Sequence, residues 1–163
     1  MPVRGRTIAL FVLATSLSAA AGAFAVGANE NAAPPVSRSA LAQQVDPVGA
    51  PGRTLGLSRV RIAPGARIAL HHHAGTQLAY IQRGALTYTV RTGSVDVRRG
   101  PADQSPKVVR TIGAGETARI HAGEWIVEQP STIHRARNAG HKPVVILLAT
   151  LFTNGSPPSL PVK

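Results

Sequence analysis

The chain has 163 residues, enough for one domain with a sizeable core and too few for two. It contains no cysteine, which excludes disulfides, thiolate metal ligands and a cysteine nucleophile, so any metal must be held by nitrogen and oxygen donors. The 18 Lys plus Arg against 7 Asp plus Glu give a formal charge of +11, which suits an anionic partner. Nucleic acid is not the expected one, because phosphate binding rests on clustered cations and aromatic platforms, whereas here the cations are scattered and aromatics make up 4%.

In chain order, Arg4 and Arg6 precede an unbroken apolar run from Ile8 to Ala14, followed by Ser and Ala as far as Ala25. This is the layout of a secretory signal peptide over residues 1–25, with an A-x-A pattern at Ala23 and Ala25 and Ala28 as the alternative cleavage point. An uncleaved anchor is the competing reading and the only membrane attachment expected; Thr15, Ser16, Ser18 and Gly22 weaken it. The protein is therefore expected to be exported, to the periplasm or beyond. Removing the segment leaves about 135 residues, still enough for one core. Residues 26–45 sustain no period and read as a linker, with at most a short helical turn at Ser39–Gln44.

From 46 to 152 short β-prone runs alternate with turn signals. The predicted strands are Arg53–Ile62, Arg67–His71, Gln77–Gln82, Ala85–Arg91, Val95–Arg98, Lys107–Ile112, Thr117–His121, Glu124–Glu128, His134–Asn138 and Val144–Phe152. Pro64-Gly65 and Arg83-Gly84 mark turns between them. No segment holds a helical period beyond two turns, so an all-β sandwich or barrel is expected. Residues 153–163, rich in Pro, Ser and Gly, read as a disordered tail.

The chemistry concentrates in the histidines. Side chains two apart on a strand share a face, so His71 and His73 can point one way while His72 points the other. Gln77 lies at the same parity beyond a bend at Ala74-Gly75, and its carbonyl is a third donor. His134, beside the turn Gln129–Thr132, is the best placed fourth. Three imidazoles with an oxygen donor suit one divalent ion, Fe, Mn, Zn, Ni or Co, and leave positions open for a small molecule. A histidine taken alone is more often a packing or surface residue; the spacing is what favours a site.

The interval pattern Gly65-x5-His71-x-His73-x3-Gln77-x6-Gly84 resembles the first motif of the cupin superfamily, which has Glu where Gln77 stands. The segment Gly123-x5-Gln129-x-Ser131-x2-His134-x3-Asn138 is similar to the second motif, with Gln129 and Ser131 in place of its Pro and Gly. The resemblance spans about Arg53 to Phe152. It implies a double-stranded β-helix, the cupin-type jelly-roll barrel, with metal ligands at His71, His73, Gln77 and His134. A homodimer paired through outer strands is a further expectation from it. Exchanging a carboxylate for the Gln77 amide removes a negative charge beside the ion, which favours an anionic or oxygen-chelating substrate. The alternative is that Gln77 only hydrogen-bonds a water of the ion, leaving a three-histidine site.

Trp125 and Tyr80 are expected in the core, with Val127 on the face of Trp125. Arg135 and Arg137, out of phase with His134, are expected on the outer surface. His121 and Glu124 are candidates for general acid or base but read first as a solvated turn. Two functional classes remain: a metal-dependent enzyme of dioxygenase, isomerase or lyase type, with catalytic residues that the sequence does not name, and a non-catalytic module binding a small molecule or metal.

Overall fold

The computed structural model describes residues 34–162, so the expected signal peptide and the start of the expected linker lie outside the described residues. Twelve strands run in sequence. They are β1 (Val36–Val45), β2 (Arg53–Ile62), β3 (Arg67–His72), β4 (Gly75–Arg83), β5 (Ala85–Thr92), β6 (Val95–Arg99), β7 (Lys107–Ile112), β8 (Thr117–His121), β9 (Glu124–Glu128), β10 (Ile133–Arg137), β11 (Val144–Thr153) and β12 (Leu160–Pro161). All pairings are antiparallel, in a seven-stranded sheet ordered β1-β2-β11-β4-β9-β6-β7 and a five-stranded sheet ordered β12-β3-β10-β5-β8. This is the jelly-roll arrangement expected.

The two sheets bury a shared core through strict alternation. Val60 and Ile62 of β2, Ala79 and Ile81 of β4, Val144, Ile146 and Leu148 of β11, and Leu86, Tyr88 and Val90 of β5 or its two-residue neighbours face inward. Their opposite-parity neighbours face out. Tyr80 is 39% exposed, and Trp125 lies on the same outer face with the Arg98 guanidinium 5.8 Å above its ring. The expectation that these two pack in the core is thus corrected. On β4 and β9 both faces carry apolar residues, and the smaller set, Ala79 and Ile126, is the buried one.

Two further expectations are overturned at the ends of the domain. Residues 36–45, read as linker, form the edge strand β1, paired along its length with β2 and shifted in register between Ala40 and Ala42. Residues 153–163, read as a disordered tail, return to the barrel: Leu160 pairs with His72, and the Val162 amide donates to the Leu70 carbonyl. Glycine places the central crossover. The chain leaves the five-stranded sheet at His72 and joins the other at Gly75, where a Cβ would stand 2.1 Å from the Leu151 carbonyl oxygen. Only a residue without a side chain allows β4 to meet β11 that closely.

Candidate metal centre

His71 and His134 are cross-strand partners on β3 and β10, with ring centroids 4.3 Å apart. The register of that pair shifts just beyond them, between His134 and Ala136, so that Ile68 and His71 both face inward although an odd number of positions, three, lies from one to the other. His73 follows at the start of the crossover and stacks on Phe152 at 5.4 Å. The three rings offer donor atoms within 4.8 Å of one another, a group that could hold a metal ion. His72 is not part of it, as the alternation implied.

Each ring is oriented by the main chain. The Nδ1 of His71 lies 2.7 Å from the Ala69 carbonyl oxygen, that of His73 2.9 Å from the Pro158 carbonyl, and that of His134 3.2 Å from the Thr132 carbonyl. A carbonyl only accepts, so each Nδ1 carries the proton and donates it, and each Nε2 keeps its lone pair. That is the preparation a metal-ligating imidazole requires. It also explains the tail: Pro158 is the partner that sets the His73 ring.

Gln77 reaches the same spot but presents its amide nitrogen. Its Nε2 donates to Glu128 Oε2 and lies 3.2 Å from His73 Nε2, while its Oε1 is buried without a partner among the described residues. Glu128, which the motifs did not single out, completes the cluster. It sits opposite Gln77 in the β4–β9 pairing, 3% exposed, with Oε1 3.1 Å from His134 Nε2 and Oε2 3.5 Å from His73 Nε2. Tyr88, also missed, donates its hydroxyl to Glu128 Oε1 at 2.8 Å and stacks on His134 at 5.0 Å.

Burial governs the ionisation here. It pushes the His71 pKa down, helped by the charge of neighbouring His134, to about 4, and it lowers that of His134 as well. Burial alone would raise Glu128, but hydrogen bonding to His73, the charges of His134 and His73, and the Gln77 amide outweigh it and bring the carboxyl down to about 2. Tyr88 is raised by burial and by the adjacent Glu128 charge. At neutral pH burial therefore keeps His71 and His134 neutral beside the Glu128 carboxylate. The donor chemistry of the centre fits a divalent ion.

A pH prediction follows for the metal-free protein. Below pH 6.5 the unfolded chain protonates His71 while the folded chain resists until about 4, so stability falls across that window, by about 2 kcal/mol after allowance for solvent near the ring. Glu128 acts in the same direction lower down: its stabilisation is present above 4.5 and is lost as pH falls toward 2. Thermal melts in chelator at pH 7, 5 and 3 should show a midpoint that drops at each step. A midpoint flat from 7 to 5 contradicts the neutral, buried His71.

The centre opens into a cavity of about 190 Å³ walled by Val60, Ile68, Leu86, Ile126, Ile146 and Leu148. Arg38 of β1 and Pro158 line both this cavity and a wider groove over β1, β2 and β11. Arg38 is held by its Nε donating to Ser58 Oγ at 3.2 Å, and no hydrogen bond engages its terminal nitrogens among the described residues. Glu124 is elsewhere. It is fully buried and accepts from Arg99, Arg110 and the His121 amide, so neither the solvated turn nor an acid–base role describes it. Arg135 and Arg137 are exposed, as expected.

No family model matches the sequence, and neither does any curated protein. Solved structures match the fold. A cupin 2 domain-containing protein from Halorhodospira halophila aligns with a TM-score of 0.50 at 13% identity, covering 78% of this chain and 70% of that one. The fold is a cupin barrel. A cupin superfamily protein from Desulfitobacterium hafniense (TM-score 0.47, 18% identity, 72% and 77% covered) and KdgF from Halomonas sp. (0.48, 20%, 74% and 83%) are also similar. In this cupin barrel the three histidines of the two motifs meet, and a carboxylate stands beside them, contributed by Glu128.

Proposed function

We propose that this cupin barrel is an exported protein that binds one divalent metal ion on His71, His73 and His134 and uses it to capture a small anionic or oxygen-chelating molecule. The observation that carries the reading is the shared orientation of the three rings, each with Nδ1 tied to a backbone carbonyl, which leaves the Nε2 atoms as the metal-ligating nitrogens. A bound ion would supply Lewis acidity toward oxygen donors of the guest.

The chain's own residues describe that guest. The apolar walls and a volume of about 190 Å³ suit a molecule little larger than the benzene that fits a cavity of about 150 Å³ in another protein. Arg38 is the only Lys or Arg lining the cavity among the described residues, with its terminal nitrogens free for a carboxylate. Gln77 Oε1 is a buried acceptor left over for a hydroxyl or amine of the guest. The apolar run and A-x-A pattern before residue 26 support export.

The titratable groups of the cavity favour binding over acid–base chemistry. Histidines, Glu128 and Tyr88 are all engaged with one another or with the backbone, which leaves no unengaged base among the described lining residues. A non-catalytic binding module is therefore the first reading, and a metal-dependent enzyme the second. Titration of metal-loaded protein with a panel of small keto acids, hydroxy acids, diketones and phenols tests both. Saturable binding of an acid only when metal is present, weakened about tenfold or more by Arg38→Gln, is expected. Binding indifferent to metal and to Arg38 contradicts the proposal. Product formation in the same panel decides for the enzyme.

A further inference from the structure

We infer that Glu128 is the carboxylate donor of the centre, moved one strand over from the position where Gln77 stands. This rests on the metal reading above and goes beyond it, since neither motif places a ligand at Glu128. Four observations converge. First, Gln77 and Glu128 are direct cross-strand neighbours that both face the cavity, so a carboxylate can pass from β4 to β9 with little change in where its oxygens lie.

Second, the spacing of Glu128 to two of the three histidines is that of neighbouring donors around one ion. Bonds of about 2.0–2.2 Å place neighbouring donors about 3.0–3.5 Å apart. Glu128 Oε1 lies 3.1 Å from His134 Nε2, and Oε2 lies 3.5 Å from His73 Nε2. Third, the Nδ1 atoms of His73 and His134 donate to backbone carbonyls, so the Nε2 lone pair of His134 faces the carboxylate, while that of His73 is shared between the carboxylate and the Gln77 amide. Two electron-rich atoms at that distance repel unless a cation lies between them. Fourth, the donors that do reach Glu128 come from the side: the Gln77 amide on Oε2 and the Tyr88 hydroxyl on Oε1. They hold the carboxylate in place and account for Gln77, whose nitrogen, not its carbonyl, faces the cluster.

The consequence is electrostatic. A divalent ion on three neutral histidines would carry its full charge, whereas Glu128 leaves a net single positive charge, comparable to a centre with the motif-one carboxylate. The competing reading is a proton in place of the ion, with Glu128 merely pairing an imidazolium.

The test is chelator-competition titration with Zn²⁺ and Co²⁺ on the full folded chain, alongside the visible spectrum of the Co²⁺ form and a thermal melt. Four proteins are compared: the parent, Glu128→Gln, Gln77→Glu, and the double variant Gln77→Glu/Glu128→Gln. The expected result is affinity about 100-fold weaker in Glu128→Gln with a changed Co²⁺ spectrum, and recovery to within about tenfold in the double variant. Equal affinity in the parent and Glu128→Gln overturns this assignment while leaving the histidine site standing. A weaker site with an unchanged Co²⁺ spectrum makes Glu128 a positioning residue and also overturns it. A parent that binds neither ion overturns the metal reading itself. Should Glu128→Gln fail to fold, Glu128→Asp keeps the charge but shortens its reach, and an unaltered affinity and spectrum there would contradict direct ligation.

Discussion

Replacing His134 by alanine is expected to lower metal affinity by two powers of ten or more while the barrel stays folded. Structural sites with four donors bind Zn²⁺ with on the order of 10–16 kcal/mol, so one donor carries roughly 3 kcal/mol, about a hundredfold. His134 has more than an average share. It is the cross-strand partner of His71, it faces Glu128 at 3.1 Å, and it stacks on Tyr88. The variant also removes a buried ring that stacks on Tyr88 and leaves a cavity in its place. Its metal-free form should therefore melt earlier than the parent's. Competition titration and a melt in chelator read the two effects separately, and a variant that binds Zn²⁺ as tightly as the parent would remove His134 from the centre.

Removing residues 157–163 is expected to weaken metal binding by about 10- to 100-fold, although none of them is a ligand. The segment carries the Pro158 carbonyl that holds Nδ1 of His73, and β12, which pairs with β3 beside His71 and His72. Without it the His73 ring loses its fixed tautomer, and the cavity loses the wall formed by Pro158 and Ser159. The truncated chain should keep the core strands, whose contacts lie elsewhere, so circular dichroism should stay that of a β protein. An affinity unchanged by truncation would show that the tail only covers the barrel. Loss of the fold would show that β12 is a structural staple.

The strands between 53 and 153 were legible because turn residues and alternation coincide there. Lys107–Ile112, Thr117–His121 and Glu124–Glu128 have the bounds read from the sequence, and the glycines between strands, such as Gly84, Gly115 and Gly123, adopt the positive φ that stops a strand. β1 was not legible for two physical reasons. It lies at a sheet edge with one neighbour and a mostly exposed surface, so it needs no apolar alternation, and the register shift at Ala40–Ala42 breaks what pattern exists. β12 is two residues long and includes Pro161, below any sequence signal.

The histidines of the centre could be read from spacing, because alternation and the motif agree on them. Glu128 could have been found from parity and was not. Trp125, Ile126 and Val127 are all apolar, so β9 shows no clean alternation, and assigning the bulky Trp125 to the core turns Glu128 outward. The barrel does the reverse. It buries Ile126 between Glu124 and Glu128, while Trp125 lies outside, its indole nitrogen donating to the Gly100 carbonyl and its ring under Arg98. Size alone misplaced the strand's face. An acidic residue two positions from a buried isoleucine, next to the second motif, was the signal available.

The account stands on the claim that this chain holds one divalent ion where His71, His73 and His134 meet. Elemental analysis of the parent, purified without added metal or chelator, beside His73→Ala tests it most directly. The account predicts close to one Fe, Mn, Zn, Ni or Co per chain in the parent and almost none in the variant. Equal metal in the two proteins, or none in a parent that also fails to take up added ions, would contradict it.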